Sequence, residues 1–167
     1  KELKEATFAG RAARPYVYRM AQSENLLPYI LGDHCAPIVL PAERSASGAW
    51  TILDDETIRR QGFVQTSRRF AAINAKLTQL VQKKTLQQRI DERGKLRKQV
   101  FAGSGRLLLA GAGGKYITAA SVAVEDAGDL VIDQTLYWKH IASADEADFY
   151  VGMLNSRAMT EAITPFN

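Results

Sequence analysis

Nine cationic side chains, Arg68, Arg69, Lys76, Lys83, Arg89, Arg93, Lys95, Arg97 and Lys98, carry the clearest chemical signal in the chain. They belong to a wider run, because 12 of the 22 Lys and Arg residues lie between Arg59 and Lys98. Only Asp91 and Glu92 oppose them, which leaves that segment at +10. The flanks are mildly acidic: residues 1–58 sum to −2 and residues 100–167 to −4. Such a field gathers polyanions at one face instead of making the whole surface sticky. Phosphate neutralisation is the chemistry it supports, and nucleic acid is the first partner to consider. A solvated helix with an excess of one charge has the same composition.

Other chemistries find little footing. Phe101-Ala102-Gly103-Ser104-Gly105 has the F-x-G-x-G form of a loop that wraps S-adenosylmethionine. That loop requires a buried apolar strand before it, and Lys95–Gln99 is too charged to be one. A Gly-Ser turn into the next strand is the better reading. Gly111–Lys115 lacks the first glycine and the Ser or Thr of a phosphate loop, since Leu109 and Tyr116 stand there. A hairpin turn explains it. His34 and His140 are the only histidines and Cys35 the only cysteine, with no metal-ligand spacing among them. His34 and Cys35, if on a strand, point to opposite faces and cannot act as a nucleophile pair. His140 reads as a partly buried, hydrogen-bonded side chain. Asp145, Glu146 and Asp148 are explained by a helix dipole, and Asp129 and Asp133 as hairpin-end residues. No catalytic, cofactor-binding or metal residue is expected. Tyr116, Tyr137 and Trp138 could stack on bases if exposed, although core packing is the ordinary role of Trp138.

The elements that must position these groups fall in three regions. With 167 residues and 46% apolar content the chain has the size of one domain. A lone cysteine excludes a disulfide framework and fits a reducing cytoplasm. No apolar run approaches a membrane span. The chain opens at Lys1 without a methionine, which suggests a fragment of a longer protein.

Residues 1–58 read as mixed and β-rich, with strands at Pro15–Met20, Pro37–Leu40 and Trp50–Leu53. Asp54-Asp55 caps a short helix through Arg59-Arg60 that Gly62 stops. Residues 59–99 are basic and helical. Phe70, Ile73, Leu77, Leu80 and Val81 make an apolar stripe, with Arg69, Lys76 and Lys83 on a second stripe about a quarter turn away. Thr85 and Gln88 form a capping box for another helix, expected to carry Arg89 and Arg93 before Gly94 breaks it. Residues 100–167 return to strands at Arg106–Ala110, Tyr116–Val124 and Leu130–Ile141, joined antiparallel through glycine turns at 111–114 and near Gly128. Ser143 and Glu146 open a helix, and Asn155-Ser156 a last short one ended by Pro165. The expected fold class is α+β: small mixed, largely antiparallel sheets, a basic helical segment in the middle and C-terminal helices.

A resemblance then emerges from residues in order: Thr85-Leu86-Gln87-Gln88-Arg89, Gly94-Lys95-Leu96, Gln99 and a Ser-Gly turn. It continues through Val131–Trp138, Glu146-Ala147-Asp148-Phe149-Tyr150 and Leu154-Asn155-Ser156. This order resembles the C-terminal region of bacterial N6-adenine DNA methyltransferases of restriction–modification and phage-defence systems, over about residues 63–167. In that family the corresponding run belongs to the target-recognition part, downstream of the catalytic domain. The family's catalytic Asn/Asp-Pro-Pro-Tyr/Phe is missing, because no two of the five prolines are adjacent.

The resemblance therefore implies a DNA target-recognition domain that is not itself an enzyme. S-adenosylmethionine would be needed by the parent protein and no cofactor by this chain. The implied partners are double-stranded DNA and the parent's catalytic domain, with no membrane, in the cytoplasm. Phosphate contacts are expected from the nine cations named first, with arginine the better-suited reader of a guanine edge. The alternatives are a protein-interaction module that presents the basic segment to an acidic partner in a defence complex, and a small methyltransferase-like enzyme built on Phe101–Gly105.

Overall fold

Three short polar side chains fix where helices begin. Asp54 accepts from the Thr57 amide at 2.7 Å, Thr85 from Gln88 at 3.3 Å and Ser143 from Glu146 at 3.3 Å. Each satisfies an amide that the first helical turn leaves without an intrahelical partner. The computed structural model describes residues 10–80, 84–111 and 116–163.

In chain order the first six strands are β1 (Val17–Ala21), β2 (Leu26–Leu27), β3 (Ile30–Leu31), β4 (Ala36–Val39), β5 (Ala42–Arg44) and β6 (Trp50–Ile52). Helices α1 (Asp55–Arg60), α2 (Val64–Leu80) and α3 (Leu86–Ile90) follow. The last part comprises β7 (Arg106–Gly111), β8 (Thr118–Ala123), β9 (Leu130–Ile132) and β10 (Tyr137–Ile141), then α4 (Ala144–Leu154) and α5 (Arg157–Ile163). The architecture is α+β, with small sheets that are mostly antiparallel.

These elements group into two compact units, one formed by Lys1–Val17 with Val39–Val100 and the other by Tyr18–Ile38 with Phe101–Asn167. Residues 18–38 thus group with the later strands.

The first unit is built around Tyr16, Leu53, Ile58 and Phe70, all buried, with Phe63, Ile73 and Leu86 packed against them. Tyr16 meets Phe63 and Phe70 edge-on, at centroid distances of 5.4 and 6.3 Å, a favoured aromatic arrangement. Phe70, Ile73 and Leu77 of the apolar stripe face inward as the spacing predicts. Val81 lies outside the described residues. β5 and β6 pair antiparallel, and the Trp50 indole donates to the Gln99 carbonyl at 3.0 Å, tying the end of the basic segment to β6.

In the second unit the sheet ordered β10-β7-β8 is covered on both faces. Leu107 and Leu109 of β7 join Phe101, Leu26, Leu130 and Ile132 on one side, while Leu108 and Ile141 meet Ala147 and Val151 of α4 on the other. Burial on both faces explains why β7 reads as a continuous apolar run. Trp138 packs edge-on against Phe101 at 5.2 Å, as its core reading requires. The strand expected over Leu130–Ile141 is two strands. Asp133 accepts from the Thr135 amide at 3.0 Å, and this Asx turn separates β9 from β10. β9 then pairs parallel with β1, and only β10 continues the antiparallel sheet. The expected turn at 112–114, and Pro165, lie outside the described residues.

Candidate nucleic-acid interface

Helix α2 starts after Gly62, whose φ of +90° ends α1. Its apolar face points at Tyr16, and two polar side chains anchor it from the same unit. Thr66 accepts from the Ala13 amide at 2.9 Å and Ser67 donates to the Asp55 carbonyl at 2.7 Å. Asn74 works from the other flank. It accepts from the Leu86 amide at 2.7 Å and donates to the Gln87 side chain at 3.1 Å, so the start of α3 docks on that side.

This anchoring divides the expected phosphate contacts. At about 100° per residue, Arg69 and Lys76 lie roughly 140–160° around α2 from Asn74. Arg69 and Lys76 therefore stand on the opposite flank of the helix from the start of α3. Arg69 is further committed, since its guanidinium donates to the Gly10 carbonyl at 2.6 Å. Arg68 and Lys76 are exposed, and among the described residues no hydrogen bond or ion pair engages them. Lys83 lies outside the described residues.

Beyond Thr85 the controlling residue is Asp91. Its side chain is 3% exposed and accepts from the Leu96 amide at 3.1 Å and the Arg97 amide at 2.9 Å, while its other oxygen meets the Arg97 guanidinium. Burial works against ionisation, but the Arg97 amide, the Arg97 guanidinium and the Leu96 amide outweigh it and hold the carboxyl below its ordinary pKa. Folded tightly on this carboxylate, the chain takes Arg93 into the left-handed region at φ 61°, followed by Gly94 at φ 70°. Helix α3 has already ended at Ile90. Arg93 therefore does not lie one helical turn beyond Arg89, as the sequence suggests, but projects from a strained turn.

The remaining cations of the segment differ in availability. Lys84 pairs with Glu92 at 3.0 Å, which holds the Glu92 carboxyl below its usual range. Arg97 is bound to Asp91, and Arg89 is half-buried with its Nε lacking a hydrogen-bond partner among the described residues. Lys95 is exposed but engaged. Arg93 and Lys98 are exposed, with no hydrogen bond or ion pair among the described residues. A cleft of about 750 Å³ runs beside this turn, lined by Ile52, Lys84, Gln87, Asp91, Arg93 and Arg97 among others. Its walls carry both signs of charge. Sequence reasoning missed Asp91 and Asn74 as organisers. An acidic residue six positions before an arginine, and an asparagine inside an amphipathic helix, are the signals that could have revealed them.

The other candidate chemistries are structural features. Gly103 and Gly105 adopt φ 79° and 113° in a bend, and a β-carbon on Gly105 would sit 2.5 Å from the Ile141 carbonyl oxygen. This loop is backed against β10. His140 is exposed, not partly buried as expected, and its Nε2 lies 2.9 Å from the Ser104 carbonyl oxygen. His34 is exposed in a loop and Cys35 is buried, with burial pushing the thiol pKa up, the opposite of nucleophile activation. Among the described residues no group of three or more His, Cys, Asp or Glu could hold a metal ion. Tyr116 and Tyr137 are exposed, at 58% and 74%. Among the described residues no helix is long and apolar enough to cross a membrane.

No protein-family model, curated protein or solved structure matches this chain.

Proposed function

We propose that the chain is a DNA-binding target-recognition module of an adenine-N6 DNA methyltransferase, holding duplex DNA for a catalytic domain elsewhere in the parent protein. The observation that carries the DNA-binding part is the set of exposed, uncommitted cations in the basic segment: Arg68, Lys76, Arg93 and Lys98. They come from a stretch whose only two carboxylates, Asp91 and Glu92, are consumed by Arg97 and Lys84. Cations held in no hydrogen bond or ion pair can neutralise phosphates and release counterions. The assignment to a methyltransferase rests on the ordered resemblance over residues 63–167. On this reading the module works in the cytoplasm, transfers no methyl group and leaves S-adenosylmethionine to its catalytic partner.

The test is fluorescence anisotropy of the whole chain with a random-sequence duplex across a salt series. Affinity is expected to fall steeply with salt, and Lys76→Ala or Lys98→Ala to flatten the slope by about one each. Arg97→Ala should alter the slope less, because its guanidinium is bound to Asp91. Absent or salt-independent binding would overturn the reading and favour an acidic protein partner.

A further inference from the structure

Helix α2 has 17 residues and not one carboxylate. Exposed helices normally carry both signs of charge, spaced to form pairs one turn apart. Here the solvent side instead presents Gln65, Arg68, Ala72, Ala75, Lys76 and Gln79, with Val64, Ala71 and Thr78 exposed beside them. At 100° per residue Gln65, Arg68, Ala72, Ala75, Lys76 and Gln79 fall within an arc of about 100°, centred roughly 160° from the buried Phe70–Leu77 face. Gly10–Ala13 lie against the helix near Thr66 and Arg69 and Leu86–Gln87 at Asn74, while Val64, Ala71 and Thr78 extend the exposed side towards Asn74.

The composition of that face is selective. A phosphate oxygen only accepts hydrogen bonds, so it uses the donor half of a glutamine amide. An adenine edge in the major groove offers both an acceptor and a donor and satisfies the whole amide. Arginine matches a guanine edge in the same bidentate way, and an alanine methyl group can meet a thymine methyl. With its side chains a helix is about 10–12 Å across, against a major groove about 12 Å wide. Alanines in the middle of the stripe keep α2 slim where it would sit deepest, while the longer side chains reach outward at each end.

We infer that α2 is the base-reading helix, entering the major groove of duplex DNA with Gln65, Arg68 and Gln79 on base edges and Lys76 on a phosphate. This inference rests on the DNA-binding reading above and specifies its mode. Arg68 thereby moves from a uniform phosphate contact to a determinant of sequence.

The experiment selects preferred sites from a randomised duplex pool with the whole chain and with Gln65→Ala, Arg68→Ala and Gln79→Ala. Affinity for the selected site is then measured with 7-deaza-guanine or 7-deaza-adenine at each position, which removes an acceptor from the major groove alone. The expected result is about a tenfold loss at one or more 7-deaza positions, with each variant relaxing preference at one position. Binding of each variant to random duplex should stay within about twofold for the two glutamine variants, showing that they remain folded. If the chain binds DNA with steep salt dependence but shows no preferred site, the reading helix is overturned and DNA binding stands. The reading helix is equally overturned if 7-deaza bases are tolerated throughout or the variants select the parent site. If no duplex is bound at any salt, the DNA-binding reading fails, and the inference with it.

Discussion

Removing Asp91 should loosen the basic turn within the first unit, and the structure sets the size of the effect. The Asp91 carboxylate accepts two backbone amides, from Leu96 at 3.1 Å and Arg97 at 2.9 Å. Hydrogen bonds to a charged group are worth about 1.5 kcal/mol each at the lower end, so Asp91→Ala should cost about 3 kcal/mol. The Arg97 pair adds little, because that guanidinium is 66% exposed and screened by water. Asp91→Asn keeps an oxygen that can accept the amides and loses only the charge assistance, for about 1–2 kcal/mol. At about 2–4 °C per kcal/mol for a chain of this size, the alanine variant should melt roughly 6–12 °C lower. Urea denaturation followed by Trp50 fluorescence, in a Trp138→Phe background, reports on the first unit directly. The pH dependence follows from the depressed pKa. Asp91 stabilises fully above the unfolded carboxyl value of about 3.9 and loses that contribution as pH falls through its lower folded value. The gap between parent and Asp91→Asn should be constant from about pH 5 to 8 and shrink below about pH 4. An alanine variant with an unchanged midpoint would refute the reasoning. So would an asparagine variant as unstable as alanine, which would place the energy in charge and not in amide capping.

Two substitutions test backbone strain from opposite directions. Arg93→Gly relieves a left-handed residue at φ 61° and should raise stability by about 0.5–1 kcal/mol in urea denaturation, while lowering the DNA salt slope by about one. Gly105→Ala must place a β-carbon 2.5 Å from the Ile141 carbonyl at φ 113°. It should cost about 2–4 kcal/mol, read from Trp138 fluorescence in the second unit, and an unchanged midpoint would mean that the loop is not held against β10.

Local signals were legible where one residue suffices to set the backbone. Asp54, Gly62, Thr85 and Ser143 mark their helix boundaries by capping chemistry that acts within a few residues. The α2 core face was equally readable, because Phe70, Ile73 and Leu77 repeat at the helical period. What the sequence concealed depends on distant partners. Nothing near residues 130–132 says that β9 will pair parallel with β1, over a hundred residues away. The candidate site divides in the same way. Exposure of Arg68 and Lys76 follows from the helix period, whereas the loss of Arg69 to the Gly10 carbonyl is a tertiary event. Arg93 escaped the helical reading because Asp91 draws the following amides onto its carboxylate, and that geometry outweighs the helix propensity of Arg89-Ile90.

The formal charge of the basic segment and the charge it presents are therefore different quantities, and salt titration separates them. Ten net positive charges between Arg59 and Lys98, each releasing a phosphate counterion, would give a slope near −9 in a plot of log affinity against log salt. Yet Arg59 and Arg60 share Glu56, Lys84 holds Glu92, Arg97 holds Asp91 and Arg69 donates to the Gly10 carbonyl. Arg89 is half-buried and Lys95 is engaged, so among the described residues Arg68, Lys76, Arg93 and Lys98 remain, for a slope of about −4. Lys83 could carry it to about −5, and Arg68 on a base edge would reduce it to about −3. A slope in that range means the internal pairs persist when DNA binds. A slope near −9 means they open, with Asp91 releasing Arg97 in the complex, and Asp91→Asn should then leave the slope unchanged while destabilising the free protein.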